Sequence, residues 1–115
     1  MQTPTAYKVL TADQMAALER DAVFAGAPID LADGYIHLST QAQLTETVDK
    51  HFAGQHDLWV AAVDLDAMGA AVKWEASRGG ALFPHLYAPL PLSAVFAYSP
   101  IERDETGQVK LPVAG

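Results

Sequence analysis

The chain has 115 residues, no cysteine, and 14 acidic against 7 basic side chains, which gives a formal net charge of −7. The lack of thiols excludes disulfides, cysteine nucleophiles and thiolate metal sites, and the acidic balance disfavours bulk binding of nucleic acid. Half of the residues are hydrophobic, which is enough to bury the core of a protein of this length. We therefore expect a single domain over residues 1–115.

The sequence also bears on where the protein acts. No apolar run approaches the roughly 20 residues that a membrane-spanning helix requires. The first residues are polar and lack the basic and then apolar segments of a signal peptide. A reducing compartment is compatible with the absence of cysteine. These features predict a cytoplasmic protein that does not associate with a membrane.

The first third of the chain predicts a helix between two strands. Thr11 and Gln14 have the spacing of a capping box, in which each side chain satisfies a free backbone N–H. Met15 and Leu18 follow at helical spacing. The predicted elements are a strand over residues 6–10, a helix from Thr11 to near Phe24, a loop containing Gly26 and Pro28, a turn at residues 33–34, and a strand over residues 35–38.

The rest of the chain predicts one more helix and then mostly strands. Thr40 and Gln43 repeat the capping-box spacing, Gly54 predicts the helix end, and one apolar face is formed by Leu44, Thr47, Val48, His51 and Phe52. We predict a central strand over residues 58–65, a turn at 66–69, strands over 72–76, 85–87 and 94–99, a loop at 77–80, a turn at 102–107 and an edge strand over 108–111. The predicted core residues are Leu44, Val48, Phe52, Val60, Ala62 and Val63. This order predicts an α+β domain and not a doubly wound sheet.

The strand over residues 35–38 and the residues after it carry the first candidate site residues. Strand alternation places Tyr35, His37 and Ser39 on one face and the two aliphatic residues between them on the other. The polar face suits a cleft, although a solvated surface would show the same pattern. Ser39 and Thr40 precede a predicted helix, where they could cap it or contribute to an anion site.

Other candidates follow in the second half. Strand alternation places the Glu75 side chain on the face opposite to that of Trp74. Arg78 lies beside two glycines and could pair with Glu75 or bind a phosphate. His85 lies after a proline, with Tyr87 two residues on and on the same face. A solvated carboxylate and a packed histidine would explain these positions equally well. No local histidine or carboxylate spacing predicts a metal site.

Taken together, the motifs resemble a known family. They lie at residues 33–40, Gln43, residues 50–55, residues 74–75 and residues 83–87, and they resemble the domain-of-unknown-function family 952 from about Tyr7 to Pro112. That resemblance implies the ADP-ribosyltransferase-like fold, which also includes RNA 2′-phosphotransferases. It implies a small α+β domain whose two short helices, early in the chain, pack on strongly bent, mostly antiparallel sheets around a cleft.

The resemblance also implies a site and a ligand. The cleft of such domains holds NAD or an ADP-ribose-like group, so the expected partner is a small molecule or nucleotide. The catalytic residues would be His37 and Glu75, with Glu75 stabilising positive charge on a ribose and His37 orienting ribose or phosphate. The ligand-binding residues would be Tyr35, Ser39, Thr40, Arg78, His85 and Tyr87.

Two departures from the family pattern keep a second interpretation open. The first strand of that fold commonly carries a histidine or arginine, whereas this chain has Lys8. The set of arginines found in the phosphotransferases is also missing, since the chain has only Arg20, Arg78 and Arg103. The alternative to a transferase is therefore a non-catalytic module that binds a small ligand or nucleotide in the same cleft.

Overall fold

The computed structural model describes residues 5–77 and 80–112, and within these ranges it contains eight strands and four helices. The strands are β1 (Thr5–Thr11), β2 (Val23–Phe24), β3 (Ile36–His37), β4 (Leu58–Asp64), β5 (Val72–Ala76), β6 (Leu82–Leu86), β7 (Leu90–Pro91) and β8 (Val95–Pro100). The helices are α1 (Ala12–Asp21), α2 (Pro28–Asp33), α3 (Gln41–His51) and α4 (Leu65–Met68). The predicted α+β class is confirmed.

Three antiparallel sheets organise these elements. The first sheet has the order β1–β4–β8, the second sheet has the order β3–β6–β5, and β2 pairs with β7 in a short ribbon. The first and second sheets are joined where Tyr7 and Ser39 exchange backbone hydrogen bonds, with N–O distances of 2.8 and 2.9 Å. The end of β3 is therefore fixed to β1, and α3 begins directly beyond this junction.

The two predicted capping boxes are both formed. Thr11 and Gln14 cap α1, and Thr40 and Gln43 cap α3, with side-chain and backbone bonds in both directions. Each box satisfies two backbone groups that a helix start would otherwise leave free. These caps explain why local sequence was sufficient to locate both helices.

The strand β4 lies between two halves of the core. Ala61 and Val63 pack in a cluster with Met15 and Leu18 of α1. The alternate residues of β4 pack in a second cluster with α3; its members include Val60, Ala62, Leu44 and Val48. Both faces of β4 are therefore covered, which explains its nearly continuous apolar sequence. The prediction for Phe52 was too strong, because Phe52 is only partly buried at the edge of the second cluster.

Several predicted boundaries were wrong. The loop predicted around Pro28 contains α2, and the turn predicted at residues 66–69 begins inside α4. The expectation of two helices therefore becomes four in the described ranges. The edge strand predicted over residues 108–111 is reduced to one isolated bridge between Arg103 and Val109. Short helices and two-residue strands lack the periodic pattern that identifies longer elements.

None of the helices in the described ranges has both the length and the apolar character needed to cross a bilayer.

Candidate functional site

The second sheet brings most of the candidate residues onto one face. Its register places His37 opposite His85 on β3 and β6, and His85 opposite Lys73 on β6 and β5. Residues two apart on a strand share a face. Glu75 therefore lies on the same face of the sheet as Lys73, and Tyr87 lies on the same face as His85. We call these five side chains, together with the neighbouring ring of residue 35, the sheet-face cluster.

Aromatic contacts hold the cluster together around Tyr35. The rings of Tyr35 and His85 are stacked, with centroids 4.0 Å apart and an angle of 22°. The Tyr35 ring also lies 4.7 Å from that of His37 and 5.2 Å from that of Tyr87. The two imidazole rings are 5.7 Å apart and meet edge to face. Tyr35 is thus the common neighbour of the other three rings.

The first carboxylate–imidazole pair joins α2 to β3. His37 Nδ1 lies 2.6 Å from Asp30 Oδ1, and His37 Nε2 lies 2.9 Å from Asp33 Oδ2. The backbone N–H of His37 also donates to Asp30 Oδ1, at 3.1 Å. The Asp30 side chain is only 1% exposed, whereas that of His37 is 33% exposed. The imidazole therefore has a carboxylate at each ring nitrogen.

A buried lysine supports Asp30. Lys8 Nζ lies 2.9 Å from Asp30 Oδ2 and also donates to the carbonyl of His37, at 3.2 Å. The backbone N–H of Ala27 donates to Asp30 Oδ2, at 2.8 Å. Burial alone would raise the pKa of Asp30, but the His37 hydrogen bond and the Lys8 charge outweigh it and hold that pKa well below its usual range. Burial lowers the pKa of Lys8, and the Asp30 charge opposes that shift.

The second carboxylate–imidazole pair joins β5 to β6. Glu75 Oε1 accepts hydrogen bonds from His85 Nδ1, at 2.8 Å, and from the Tyr87 hydroxyl, at 2.7 Å. These two bonds lower the pKa of Glu75, and the bond to Glu75 raises the pKa of Tyr87 to about 12. Lys73 Nζ lies 5.0 Å from the Tyr87 ring centroid, within cation–π range. The His85 side chain is 4% exposed and that of Glu75 is 40% exposed.

The structure does not place every sequence candidate in the cluster. Ser39 is buried and its hydroxyl lies 2.8 Å from that of Thr47 on α3. Thr40 caps α3. Hydrogen bonds within the fold therefore account for both Ser39 and Thr40. Arg78 lies outside the described residues, and its role stays a prediction.

Sequence reasoning missed Asp30 and treated Asp33 only as part of a turn. Asp30 lies in a six-residue helix, and nothing local marks it as buried. A usable signal was present at Lys8, which lies within an otherwise apolar strand. Lysine is almost never buried unless it is paired, so its position in β1 indicates an acidic partner elsewhere in the chain.

The neighbourhood of the cluster limits what it can bind. Among the described residues, no group of three histidine or acidic side chains could hold a metal ion. A cavity of about 460 Å³ lies elsewhere, at the end of α3, where Phe52, Ile101 and Arg103 contribute to its lining. The groups that the cluster itself contains are imidazoles, a carboxylate, an ammonium group and phenols, which can serve in proton transfer, charge stabilisation and aromatic stacking.

The fold and the cluster define a small α+β protein with a polar, aromatic face on its second sheet. Residues 9–98 match the model of the family described as protein of unknown function (DUF952). The match includes most of the chain, and the chain belongs to that family. Among proteins of curated function, none matches the sequence.

The chain is also similar to solved structures of one bacterial protein, CC0527 from Caulobacter crescentus. A crystal structure of CC0527 is 43% identical in sequence, with a TM-score of 0.83 over 92% of this chain and 93% of the other. A crystal structure of a double mutant is 44% identical, with the same TM-score and coverage. The solution structure is 43% identical, with a TM-score of 0.78 over 92% of this chain and 91% of the other.

Proposed function

We propose that the sheet-face cluster binds NAD, ADP-ribose or a related nucleotide and acts as a transferase on its ribose or phosphate. The observation that carries this proposal is the convergence of two imidazoles, a carboxylate and two phenols from the β3–β6–β5 sheet and its flanking residues. Structural networks can produce such a cluster, but acid–base groups with adjacent aromatic rings are also what a nucleotide-directed active site requires.

Each part of a nucleotide has a matching group in the cluster. Aromatic rings such as Tyr35 and Tyr87 can stack on a base. Lys73 can neutralise a phosphate, since within the described part of the chain it has no ion pair and lies over the ring of Tyr87. Glu75 supplies negative charge where a ribose would develop positive charge, and His37 can hydrogen-bond to ribose or phosphate. Arg78 is a further proposed phosphate ligand.

The ADP-ribosyltransferase-like fold belongs to this proposal. Two three-stranded antiparallel sheets that meet at Tyr7 and Ser39 support it. The cytoplasmic location predicted from the sequence also stays a prediction.

A specific observation favours the alternative, a binding module without turnover. Lys8 occupies the strand position at which that fold commonly carries a histidine or arginine, and its charge is already paired with buried Asp30. His37 is bonded at both ring nitrogens. Neither side chain is free to engage a ligand without first breaking a contact, and such a site could hold a nucleotide without transferring any part of it.

Thermal unfolding with candidate ligands tests the proposal. The candidates are NAD, ADP-ribose, mononucleotides and RNA with phosphorylated ends. A ligand at 100 times its dissociation constant should stabilise the protein by about 2.7 kcal/mol. His37→Ala should weaken binding, whereas His56→Ala, in an exposed loop, should leave it unchanged. If none of these ligands raises the unfolding temperature, the proposed ligand class is wrong.

A further inference from the structure

We propose that Glu75 and His85 form a general-base dyad, in which Nε2 of His85 accepts a proton from a bound hydroxyl or water. Within this dyad His85 is the catalytic residue, and Glu75 positions its ring in addition to the electrostatic role at the ribose proposed above. The reaction served by this base is the one in the proposed function. The distances that define the dyad do not depend on which ligand the protein binds.

The protonation of the His85 ring follows from its partner. A carboxylate has no hydrogen-bond donor, and Glu75, which is 40% exposed, is ionised near neutral pH. The contact of 2.8 Å between Glu75 Oε1 and His85 Nδ1 is therefore a hydrogen bond only if Nδ1 carries the proton. In the neutral ring the lone pair then lies on Nε2, as a general base requires.

Nε2 of His85 is the ring nitrogen that the Glu75 contact leaves available. It has no hydrogen-bond partner in residues 5–77 or 80–112, where the Nδ1 bond to Glu75 is the one described for this ring. The His85 side chain keeps 4% of its surface exposed, and the dyad requires that Nε2 lie at that exposed edge of the ring. Stacking on Tyr35 at 4.0 Å fixes the plane of the ring.

His37, the histidine that the sequence favoured for catalysis, has the opposite arrangement. Asp30 and Asp33 lie within hydrogen-bond distance of its two ring nitrogens. Both contacts are hydrogen bonds only when each nitrogen carries a proton, because ionised carboxylates only accept. Both ring nitrogens of His37 therefore face a carboxylate, whereas one nitrogen of His85 does so in the described residues.

The proton transfer balances without any further reactant. The O–H bond of the acceptor hydroxyl breaks, its electron pair stays on oxygen, and the proton bonds to Nε2 of His85. The imidazolium keeps its Nδ1–H bond to Glu75, whose negative charge stabilises it. The oxygen then bonds to the ribose carbon or phosphorus of the ligand, and the leaving group departs with the electron pair of the bond that it loses.

Reaction with diethyl pyrocarbonate tests the dyad in the intact protein without a ligand. The reagent modifies unprotonated imidazole nitrogens, and peptide mass spectrometry locates the modified histidine. His85 should react at least about tenfold faster than His37, since reaction at either nitrogen of His37 first requires a carboxylate contact to break. Exposed His56 reports that the reagent is active. Glu75→Gln should slow the reaction at His85 and leave His56 unchanged.

Two results would overturn the dyad: no reaction at His85 in the folded protein, or reaction of His37 at an equal or greater rate. An unchanged His85 rate in Glu75→Gln would remove the positioning role of Glu75. Tyr98→Phe removes a hydroxyl that donates to Glu19 outside the cluster and should leave the His85 reactivity unchanged, so it controls for the loss of a tyrosine hydroxyl elsewhere. These outcomes are distinct from failure of the proposed function, which would appear as the absence of nucleotide binding while His85 stays reactive.

Discussion

The two carboxylate–imidazole pairs on the second sheet have opposite patterns of exposure. In the first pair, the Asp30 carboxylate is 1% exposed and the His37 imidazole 33% exposed. In the second, the Glu75 carboxylate is 40% exposed and the His85 imidazole 4% exposed. The first carboxylate is paired with a lysine and held by backbone N–H groups, whereas the hydrogen bonds of the second within residues 5–77 and 80–112 come from the side chains of His85 and Tyr87.

This difference shows that the same two functional groups have different surroundings on neighbouring strands of one sheet. Buried Asp30 fastens α2 to β1 and β3, and removal of its charge would leave Lys8 uncompensated. Among the described residues, Glu75 connects only β5 to the end of β6. The contacts of the first pair therefore have a clear structural role, and the dyad proposed above assigns the chemistry to the second.

The largest effect should come from Asp30→Asn, which leaves Lys8 buried without its counter-charge. Breaking one partner of a buried pair commonly costs about 3–5 kcal/mol, and we expect a loss of that size in the free energy of unfolding, measured by chemical denaturation. Glu75→Gln should lower the free energy of unfolding far less, because the Glu75 side chain is 40% exposed.

The exposed pair of Arg20 and Asp21 provides a control. Asp21→Asn should leave the unfolding free energy unchanged within error, since exposed ion pairs contribute little. A loss below about 1 kcal/mol for Asp30→Asn is typical of an ordinary surface residue. That result would contradict the structural role of Asp30.

The next effect concerns turnover, once a substrate has been found by ligand screening. Glu75→Gln keeps the shape of the side chain but removes its charge, so kcat should fall by about 10²–10³-fold, the usual cost of losing one preorganised electrostatic group. Affinity should change much less, because the charge matters most in the transition state. Full turnover by Glu75→Gln would exclude a catalytic contribution from Glu75. A parent protein that binds nucleotide without turnover would indicate a binding module.

A smaller effect is the acid sensitivity that Asp30 confers. The folded-state pKa of Asp30 lies well below its usual range, and an unfolded aspartate titrates near pH 3.9. The stability that Asp30 contributes is therefore complete above about pH 5 and is lost as the pH falls below about 4. The difference in unfolding free energy between the parent and Asp30→Asn should shrink over that acid range. A difference that stays constant with pH would contradict the depressed pKa.

The smallest effect is on the phenol of Tyr87. Its pKa is about 12 because Glu75 accepts its hydrogen bond, so Glu75→Gln should move it towards the ordinary value near 10. Carbon NMR of labelled tyrosine rings can follow each residue during a pH titration. Tyr98 is the matched control, because its pKa is raised by a hydrogen bond to Glu19 and should stay raised. An unchanged Tyr87 would show that Glu75 is not its partner in solution.

Local sequence predicted the parts of the fold that local chemistry decides. The capping boxes at Thr11 and Thr40 and the apolar strand β4 carry their own signals, so these elements were predicted correctly. Alternation along β3 also placed Tyr35 and His37 on one face. The helix α2 has six residues and no apolar stripe of the length that identifies a helix.

The rest of the site depends on contacts between distant segments. His37 and His85 meet because β3 pairs with β6 across a separation of 48 residues, and Asp30 meets Lys8 across a separation of 22 residues. Hydrogen bonding decides which histidine keeps a free nitrogen, and spacing along the chain carries no information about that. The catalytic roles proposed for His37 from the sequence and for His85 from the structure therefore rest on different kinds of observation, and both stay predictions.

The protonation state of the His85 ring tests the central claim most directly. Long-range proton–nitrogen correlations in NMR distinguish a ring nitrogen that carries a proton from one that does not, and they can be recorded on the intact protein. For neutral His85 the structure predicts a proton on Nδ1, bonded to Glu75, and an unprotonated Nε2. A neutral ring protonated at Nε2 would contradict the account, because neither the Glu75 bond nor the proposed base could then exist.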